Sequence, residues 1–288
     1  MKIIDLLKQK SRCFSFEFFP PKNEDSFVDL YKTIGRLKEL NPCYVSVTYG
    51  AGGGTRRKTI DLVSKIEHEI GIESMAHITC VGSTKEEIDS ILAEFKDKGI
   101  ENVLALRGDP PQGEEIFIPR KGGFRYANEL VEFIKEKYDF CIGVAGYPEG
   151  HIECPTLEED LENLKRKVDA GGDFIVTQLF FDNRFYFDFV ERARKIGITV
   201  PIIPGIMPIL NLGQVKRFTE MCGSSIPDKL LQKLESVKKD NAAVEAFGID
   251  HALKQCQGLL DSGASGIHFY TLNRSKATQQ ILENLREN

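Results

Sequence analysis

The chain lacks long apolar runs: no segment approaches the roughly 20 apolar residues that a helix needs to cross a bilayer, so we expect no membrane span. Residues 1–10 lack a long apolar core and a small-residue cleavage site, which argues against a signal peptide. An excess of basic residues is also missing, because 38 Lys and Arg stand against 43 Asp and Glu, for a net charge of −5. This balance argues against a protein that binds nucleic acid over its whole surface.

Paired cysteine motifs are absent as well. The seven cysteines are scattered and none forms a C-x-x-C pair, so the sequence indicates neither a zinc site nor a redox dithiol, and we expect no bound metal. An odd, unclustered set without a secretion signal is typical of a reducing compartment. We therefore expect a cytoplasmic protein in which most cysteines are small buried hydrophobic side chains.

The chain is long enough to bury a sizeable core. Its 288 residues are 41% hydrophobic and 28% charged, which is typical of a soluble globular protein. That length fits one large domain as well as two small ones. Because no repeat, linker or low-complexity stretch divides it, we interpret residues 1–288 as a single domain.

Short β-rich runs alternate with longer helical patterns along the chain. The predicted strands are Cys13–Phe18, Tyr44–Tyr49, Met75–Cys80, Asn102–Arg107, Cys141–Ala145, Phe174–Phe180, Ile202–Ile206 and Gly266–Thr271. The predicted helices are Ser26–Leu40, Thr55–Ile70, Lys85–Lys98, Arg125–Tyr138, Leu157–Ala170, Phe185–Ile196, Leu212–Met221, Asp228–Lys239, Ala242–Leu260 and Ala277–Arg286. Thr84 with Glu87, and Thr156 with Glu159, form capping-box patterns at two helix starts.

Strict alternation of strands and helices predicts an α/β fold with a parallel sheet. Eight strand–helix units in this length favour a single (β/α)8 TIM barrel, with extra helices before the last strand, over a doubly wound sheet. The doubly wound alternative lacks its phosphate-binding signature, because no G-x-G-x-x-G follows the first strand.

Two acidic residues stand at the ends of apolar runs, where a folding role explains them poorly. Glu17 lies in FSFEFFPP and Asp109 lies in LALRGDPP. A carboxyl among phenylalanines loses hydration, so we expect the pKa of Glu17 to rise and the group to serve as a general acid. Arg107 precedes Asp109 by two residues and keeps it ionised if the guanidinium turns toward it. As a structural alternative, Glu17 could be half of a buried ion pair.

In a (β/α)8 barrel the active site lies at the carboxyl ends of the strands. Beyond the two acids, the polar residues at the predicted strand ends are Thr48, Tyr49, His77, Thr79, Arg107, Tyr147, His151, Gln178, Tyr270 and Arg274. Polar side chains that converge from several strands are poor core material, so the cluster indicates a functional site. Taken singly, His77 could be a satisfied buried histidine and Gln178 could bond within the barrel.

Two further segments allow both a functional and a structural interpretation. Residues 50–54, GAGGG, follow a strand and precede a helix, where backbone amides can approach a ligand, but the segment could equally be a mobile turn. Lys165, Arg166 and Lys167 lie on a predicted helix and could bind phosphate, but such a run is more often a solvated helix face.

Nine strings, in order and spanning almost the whole chain, together resemble the methylenetetrahydrofolate reductase family. They are SFEFFPPK from Ser15, SVTYGA from Ser46, HITC from His77, LALRGD from Leu104, YPEGH from Tyr147, NLKRKVDAG from Asn163, TQLFFD from Thr177, IPGIMP from Ile203 and HFYTLNR from His268. The combination is specific where each string alone is not. The resemblance implies an FAD barrel enzyme that reduces 5,10-methylenetetrahydrofolate to 5-methyltetrahydrofolate, with NADH or NADPH as co-substrate in a ping-pong scheme.

The resemblance also implies a role for individual residues. Glu17 matches the proton donor, and Asp109 matches the acid beside flavin and pterin. The implied nicotinamide contacts are Thr48, Gln178 and Tyr186, and Gln178 is shared with the folate. The implied folate contacts also include Gln214 and Arg274, with Phe218 as the stacking aromatic. The implied flavin contacts are Tyr49, Ala51, His77, Arg107, Gly108, Asp109, Ala127, Tyr147, His151, Asp160, Asn163, Arg166 and Lys167.

Three features depart from the family pattern. Gly172 stands where many members have alanine, which loosens a turn next to the implied flavin anchors and puts tight flavin retention in doubt. Cys154 stands at an implied flavin-contact position that is small and variable. The chain stops soon after the barrel, so we expect no regulation by S-adenosylmethionine.

Other functions stay open on the sequence. The same flavin chemistry could belong to a subunit of an electron-transfer complex, fed by a partner protein rather than by NAD(P)H. An inactive scaffold barrel and a flavin-free pterin barrel are further alternatives, against which the intact acids and the flavin-contact set argue. The resemblance also implies a homo-oligomer.

Overall fold

The computed structural model describes residues 1–21, 23–49, 53–110 and 117–287, and the side chains in these ranges except those of residues 53–56 and 287. Within these ranges, nine parallel strands form one sheet in the order β7-β6-β5-β4-β3-β2-β1-β9-β8. Their bounds are β1 Cys13–Phe18, β2 Tyr44–Val47, β3 Ser74–Thr79, β4 Asn102–Leu106, β5 Cys141–Gly146, β6 Phe174–Thr177, β7 Ile202–Ile203, β8 Gly205–Ile206 and β9 Gly266–Tyr270.

The sheet curls into a nearly closed barrel because its two ends belong to one stretch of chain. Ile202–Ile203 pairs with β6, while Gly205–Ile206 pairs with β9. Pro204 stands between the two pieces and has no N–H with which to continue a ladder. The predicted (β/α)8 barrel is thus confirmed, and the strand predicted over 202–206 is interrupted at its proline.

Helices follow the strands around the outside of the barrel. Their bounds are α1 Ile3–Gln9, α2 Asp25–Lys38, α3 Gly53–Lys65 with a π-helical continuation Ile66–Ile70, α4 Lys85–Asp97, α5 Ala127–Lys137, α6 Leu157–Asp169, α7 Asn183–Lys195, α8 Leu212–Cys222, α9 Asp228–Ser236, α10 Asn241–Asp261 and α11 Lys276–Glu287. Three of them, α8 to α10, separate β8 from β9, which confirms the extra helices. No helix in the described ranges is long and apolar enough to cross a membrane.

The helix α1 escaped prediction because its seven residues are too short for a clear period. It packs at the amino-terminal end of the barrel, where Ile3 and Leu7 join the apolar interior. The backbone N–H of Ile3 donates to Asn102 Oδ1 at 2.7 Å, which ties the helix to β4. One end of the barrel is therefore packed with apolar side chains.

The structure tests the two predicted capping boxes and the expectation that the cysteines are unpaired. The Thr84–Glu87 capping box is present in both directions, at 3.3 and 2.8 Å. Thr156 Oγ1 accepts from the backbone N–H of Glu159 at 3.1 Å. Cys13 and Cys43 form a disulfide where β1 and β2 begin, a pairing that the scattered cysteines did not indicate.

Candidate functional site

A cavity of about 520 Å³ lies at the carboxyl-terminal ends of the strands. Its lining brings together many of the residues singled out in the sequence: Glu17, Thr48, Tyr49, His77, Thr79, Arg107, Gly108, Asp109, Tyr147, His151, Gln178, Phe218 and Tyr270. The lining residues that the sequence analysis missed are mostly apolar: Phe19, Val81, Leu104, Leu106, Ala145, Val176, Leu179, Met207 and Leu272. Strand alternation could have found Leu104 and Leu106, since they share one face of β4.

Glu17 projects from β1 to the floor of this cavity. Its Oε2 atom lies 3.5 Å from Ser46 Oγ and 3.5 Å from His77 Nε2. The Nε2 atom of His268 lies 3.6 Å from the same oxygen. Three polar side chains from β2, β3 and β9 thus converge on one carboxyl oxygen.

The environment of Glu17 differs from the one expected. Phe16 and Phe18 point outward into the core between strands and helices, so the carboxyl faces polar groups instead of phenylalanines. Burial raises the pKa of Glu17, but the hydrogen bond from His268 and the charge that His77 carries when protonated outweigh it and hold the pKa below its usual value. The expected rise of this pKa is therefore wrong for the protein as the structure describes it.

Two buried polar atoms on β3 face the same region. Among the described residues, His77 Nε2 and Thr79 Oγ1 have no hydrogen-bond partner. Burial lowers the pKa of His77 to about 4, so the ring is neutral at neutral pH. Buried polar atoms normally find partners, and a polar ligand in the cavity is one way to supply them.

Arg107 does not turn toward Asp109. Its Nη1 and Nη2 atoms each donate to Glu153 at 2.6 Å, and the guanidinium lies 5.0 Å from the centroid of the Phe117 ring. The sequence analysis expected Arg107 to keep Asp109 ionised if its guanidinium turned toward that carboxylate. The guanidinium pairs with Glu153 instead. The geometry is the two-pronged pairing that a planar guanidinium favours with a carboxylate.

A second polar cluster lies beside the cavity, between β5 and α6. Lys167 Nζ donates to the carbonyl oxygen of Ala145 at 2.6 Å and lies 5.6 Å from the centroid of the Tyr147 ring. Burial lowers the pKa of Lys167 to about 8, and Asp160 partly offsets this effect. The ring of His151 meets that of Tyr147 edge-on, with centroids 4.7 Å apart. A partly buried cation in such a place suits an anionic group.

Several implied flavin contacts do not belong to the described residues that line the cavity. Asp160 is buried on α6, where burial raises its pKa. Asn163 Oδ1 accepts from Arg166 Nη1 at 2.9 Å, with Arg166 exposed. Ala127 is the first residue of α5. Ala51 and most of the GAGGG segment lie outside the described residues.

Three implied substrate contacts are placed elsewhere. Tyr186 is buried in the core, where its hydroxyl donates to the carbonyl oxygen of Ile202 at 2.8 Å and its ring stacks on Phe180. Gln214 is exposed in the first turn of α8, and Arg274 is exposed in the turn after β9. None of these three residues lines the cavity.

Known proteins resemble this chain over nearly its whole length. The family model described as methylenetetrahydrofolate reductase matches residues 2–286. Methylenetetrahydrofolate reductase (NADH) 1 of Arabidopsis thaliana is 44% identical over 300 residues, which cover 99% of this chain and 51% of that protein. The 5,10-methylenetetrahydrofolate reductase of Escherichia coli (strain K12) is 40% identical over 271 residues, which cover 94% of this chain and 90% of that protein.

The chain thus spans about half the length of the plant relative and most of the bacterial one. A solved structure has the same fold: an uncharacterized protein from Clostridium thermocellum, described as binding two copies of 5-methyl-5,6,7,8-tetrahydrofolic acid. It superposes with a TM-score of 0.65 at 15% identity and covers 98% of both chains. At that identity the likeness supports the barrel and nothing finer.

Proposed function

The chain belongs to the methylenetetrahydrofolate reductase family, and on that premise we propose that it reduces 5,10-methylenetetrahydrofolate to 5-methyltetrahydrofolate. The observation that carries the proposal is the position of Glu17, a mostly buried carboxyl at the floor of a cavity at the carboxyl ends of the strands. We propose NADH as the donor because the plant relative is named for it, with NADPH as the alternative. FAD, when bound, would supply the hydride transfer between the two substrates, which would use the cavity in turn.

The described residues in and beside the cavity fit FAD. The unpartnered atoms His77 Nε2 and Thr79 Oγ1 offer hydrogen bonds to a polar ring. Lys167 offers a positive charge for a diphosphate beside the cavity. Gly108 has a φ of +85°, which favours glycine, and an added Cβ there would lie 2.6 Å from Val81 Cγ1. We propose that these residues, with Tyr147 and His151, hold the flavin.

Glu17 supplies the proton that the reaction needs. The imidazolidine ring of the substrate must open to an electrophilic iminium before it accepts hydride, and opening requires a proton on the departing nitrogen. Near neutral pH His77 is neutral, so its charge no longer holds the pKa of Glu17 down. Ring systems seated in the cavity would exclude water from a carboxyl that is 19% exposed, which raises its pKa toward the working range.

Asp109 lines the same cavity and plays a different part in the proposal. A carboxylate near the pterin favours the developing cation of the ring-opened substrate. The same charge close to the flavin disfavours its anionic reduced form, which lowers the potential. The two acids thus divide the work between proton donation and charge stabilisation.

The test is an anaerobic stopped-flow measurement of each half-reaction with the flavin-loaded protein. NADH or NADPH should bleach the oxidised flavin, and methylenetetrahydrofolate should restore it. In Glu17→Gln the folate half-reaction should slow by about 10²–10⁴-fold, the usual worth of general acid catalysis, while flavin reduction by the nucleotide stays nearly intact. Glu94→Gln, the same change on the exposed surface of α4, is the matched control.

Other outcomes assign other roles. An equal loss of both half-reactions in Glu17→Gln makes Glu17 a structural residue and removes it as the proton donor. A flavin that methyltetrahydrofolate reduces but neither nucleotide does would replace NAD(P)H with a partner protein as the electron donor. A protein that reacts with neither nucleotide nor folate is not a reductase of this kind.

A further inference from the structure

His268 is a fully buried histidine beneath the cavity. It lies on β9 and does not belong to the described residues that line the cavity. Its Nδ1 atom lies 2.8 Å from Ser15 Oγ. On the other side of the ring, Nε2 lies 3.6 Å from Glu17 Oε2 and 3.5 Å from Ser46 Oγ. Among these polar contacts, the one with Glu17 connects the ring to a side chain that lines the cavity.

The ring of His268 is held in one orientation. Tyr44 stacks on one face, with centroids 6.0 Å apart and planes at 16°. Tyr270 meets the ring edge-on at 5.4 Å, and its own hydroxyl donates to the carbonyl oxygen of Thr177 at 2.7 Å. The pairing of β1 with β9 places Ser15 directly beside His268. A close-packed ring with its Nδ1 engaged cannot turn, so Nε2 stays directed at the carboxyl.

The carboxyl of Glu17 is held asymmetrically. Within the described residues, its polar contacts from Ser46, His77 and His268 all go to Oε2. A carboxylic acid whose one oxygen accepts from fixed donors keeps its proton on the other oxygen. For Glu17 that other oxygen is Oε1.

We propose that His268 is a positioning residue for proton transfer: Ser15 donates to Nδ1, the Nε2–H of His268 holds Glu17 Oε2, and the acid proton stays on Oε1 for delivery to the substrate. The inference rests on the proposed function, since it takes Glu17 as the proton donor. The titratable groups that face the ring are Glu17 from β1, Tyr44 from β2, His77 from β3 and Tyr270 from β9 itself.

Two variants separate the two ends of the ring. In His268→Gln the side-chain amide sits at the distance of Nε2 and can still donate to Glu17. In His268→Asn the amide sits at the distance of Nδ1, where it can bond to Ser15 but falls short of the carboxyl. Both remove the imidazole ring, so a difference between them reports the contact with Glu17 and not the loss of the ring.

The measurement is the pair of anaerobic half-reactions in the flavin-loaded enzyme. We expect His268→Asn to slow the folate half-reaction roughly tenfold to a hundredfold, a part of what general acid catalysis contributes, and His268→Gln to slow it much less. Reduction of the flavin by the nucleotide should be unchanged in both variants. That unchanged rate also shows that each variant folds and holds FAD.

A pH profile provides a readout that a structural role would not move. A donor to the carboxylate favours its charged form, so loss of that donor raises the pKa of Glu17. The proposed general acid works only when protonated. The alkaline limb of the folate half-reaction should therefore move to higher pH in His268→Asn and stay near the wild-type position in His268→Gln.

Equal slowing by both variants, or no slowing by either, overturns the positioning role. If His268→Asn fails to fold, Ser15→Ala decides the matter, because it leaves the ring and removes the hydroxyl at Nδ1. We expect a smaller fall in the same half-reaction, and an unchanged rate would contradict the proposal. A wild-type protein without any folate half-reaction would instead overturn the proposed function, which keeps the two failures distinct.

Discussion

At the scale of single residues, the barrel interior changes character along its axis. The amino-terminal part is filled by apolar side chains that include Met75, Phe174 and Ile203. At the carboxyl end, Glu17 and His77 replace them. Burial of a polar group costs free energy unless the group is paired. Polar residues collected at one end of an otherwise apolar interior therefore indicate that the candidate functional site lies at that end.

His77 should make the protein sensitive to mild acid. Its pKa is about 4 in the folded protein against an ordinary value of 6.5, so between these pH values the unfolded chain binds a proton that the folded protein does not. The contribution of His77 to stability is fully present above pH 6.5 and is lost as the pH falls toward 4. Between pH 7 and 5 the loss should be roughly 2 kcal/mol.

Urea denaturation of His77→Gln at both pH values checks this expectation. The variant should lose roughly 2 kcal/mol less than the wild type on going from pH 7 to pH 5, since glutamine does not titrate. The lowered pKa of Glu17 adds a further loss at lower pH, below the usual carboxyl value, so the comparison is confined to the interval between pH 7 and pH 5. His68→Gln, at an exposed histidine, is the control and should track the wild type. Identical pH dependence of wild type and His77→Gln would contradict the assignment.

At the scale of elements, packing decides what local propensity leaves open. The strand predicted over residues 202–206 is divided at Pro204 into β7 and β8. Both pieces still pair, β7 with β6 and β8 with β9, because the barrel must close between β6 and β9. The helix α1 is too short to be stable alone and is held by burial of Ile3 and Leu7 and by its bond to Asn102.

Two glycines inside helices should respond in opposite ways to the same change. A Cβ added at Gly35 in α2 meets nothing within 4 Å, so Gly35→Ala should raise the free energy of unfolding by roughly 0.5–1 kcal/mol. A Cβ added at Gly248 in α10 would lie 1.8 Å from the carbonyl oxygen of Ile209. Gly248→Ala should therefore lower the free energy of unfolding by about 1–3 kcal/mol, the usual effect of overpacking.

Each variant serves as the control for the other in chemical denaturation. Helix propensity favours alanine at both positions, so a loss confined to Gly248→Ala isolates the steric term. Stabilisation by both variants would show that α10 can move away from Ile209. Destabilisation by both would show that α2 packs more tightly at Gly35 than its surroundings indicate.

At the scale of the whole molecule, the site is assembled from distant parts of the chain. Residue 17 on β1 and residue 268 on β9 meet because these strands pair, although they are 251 positions apart in the sequence. Side chains from β1, β3, β5 and β6 line the same cavity. A ligand that fills the cavity should therefore stabilise the whole barrel.

FAD should raise the stability of the folded protein in proportion to its saturation. At a free concentration of about 100 times Kd, linkage predicts a gain of about 2.7 kcal/mol in the free energy of unfolding. Riboflavin, which lacks the diphosphate and adenine that the cluster around Lys167 is proposed to hold, should give a smaller gain at equal concentration. A midpoint of unfolding that does not change with FAD concentration would contradict the proposed flavin site.

The homo-oligomer stays a prediction, which light scattering can check.

Much of the lining of the cavity was predictable because strand ends follow from sequence periodicity. Glu17, His77, Arg107 and Asp109 were singled out from their place after apolar runs, and all of them line the cavity. The electrostatics were not predictable, because they depend on which side chains meet across strands. Glu17 was expected among phenylalanines and lies instead beside His268, which the sequence analysis named only as part of a motif.

The sequence by itself determined the family, the α/β barrel and most element positions, because hydrophobic period, caps and turn residues are local properties of the chain. Only the tertiary structure decided that Arg107 pairs with Glu153, that Tyr186 lies in the core, and that His268 lies behind Glu17. Those contacts join residues that lie apart along the chain, and barrel closure selects them. Burial then changes the pKa values of the groups that it brings together, an effect that no local pattern encodes.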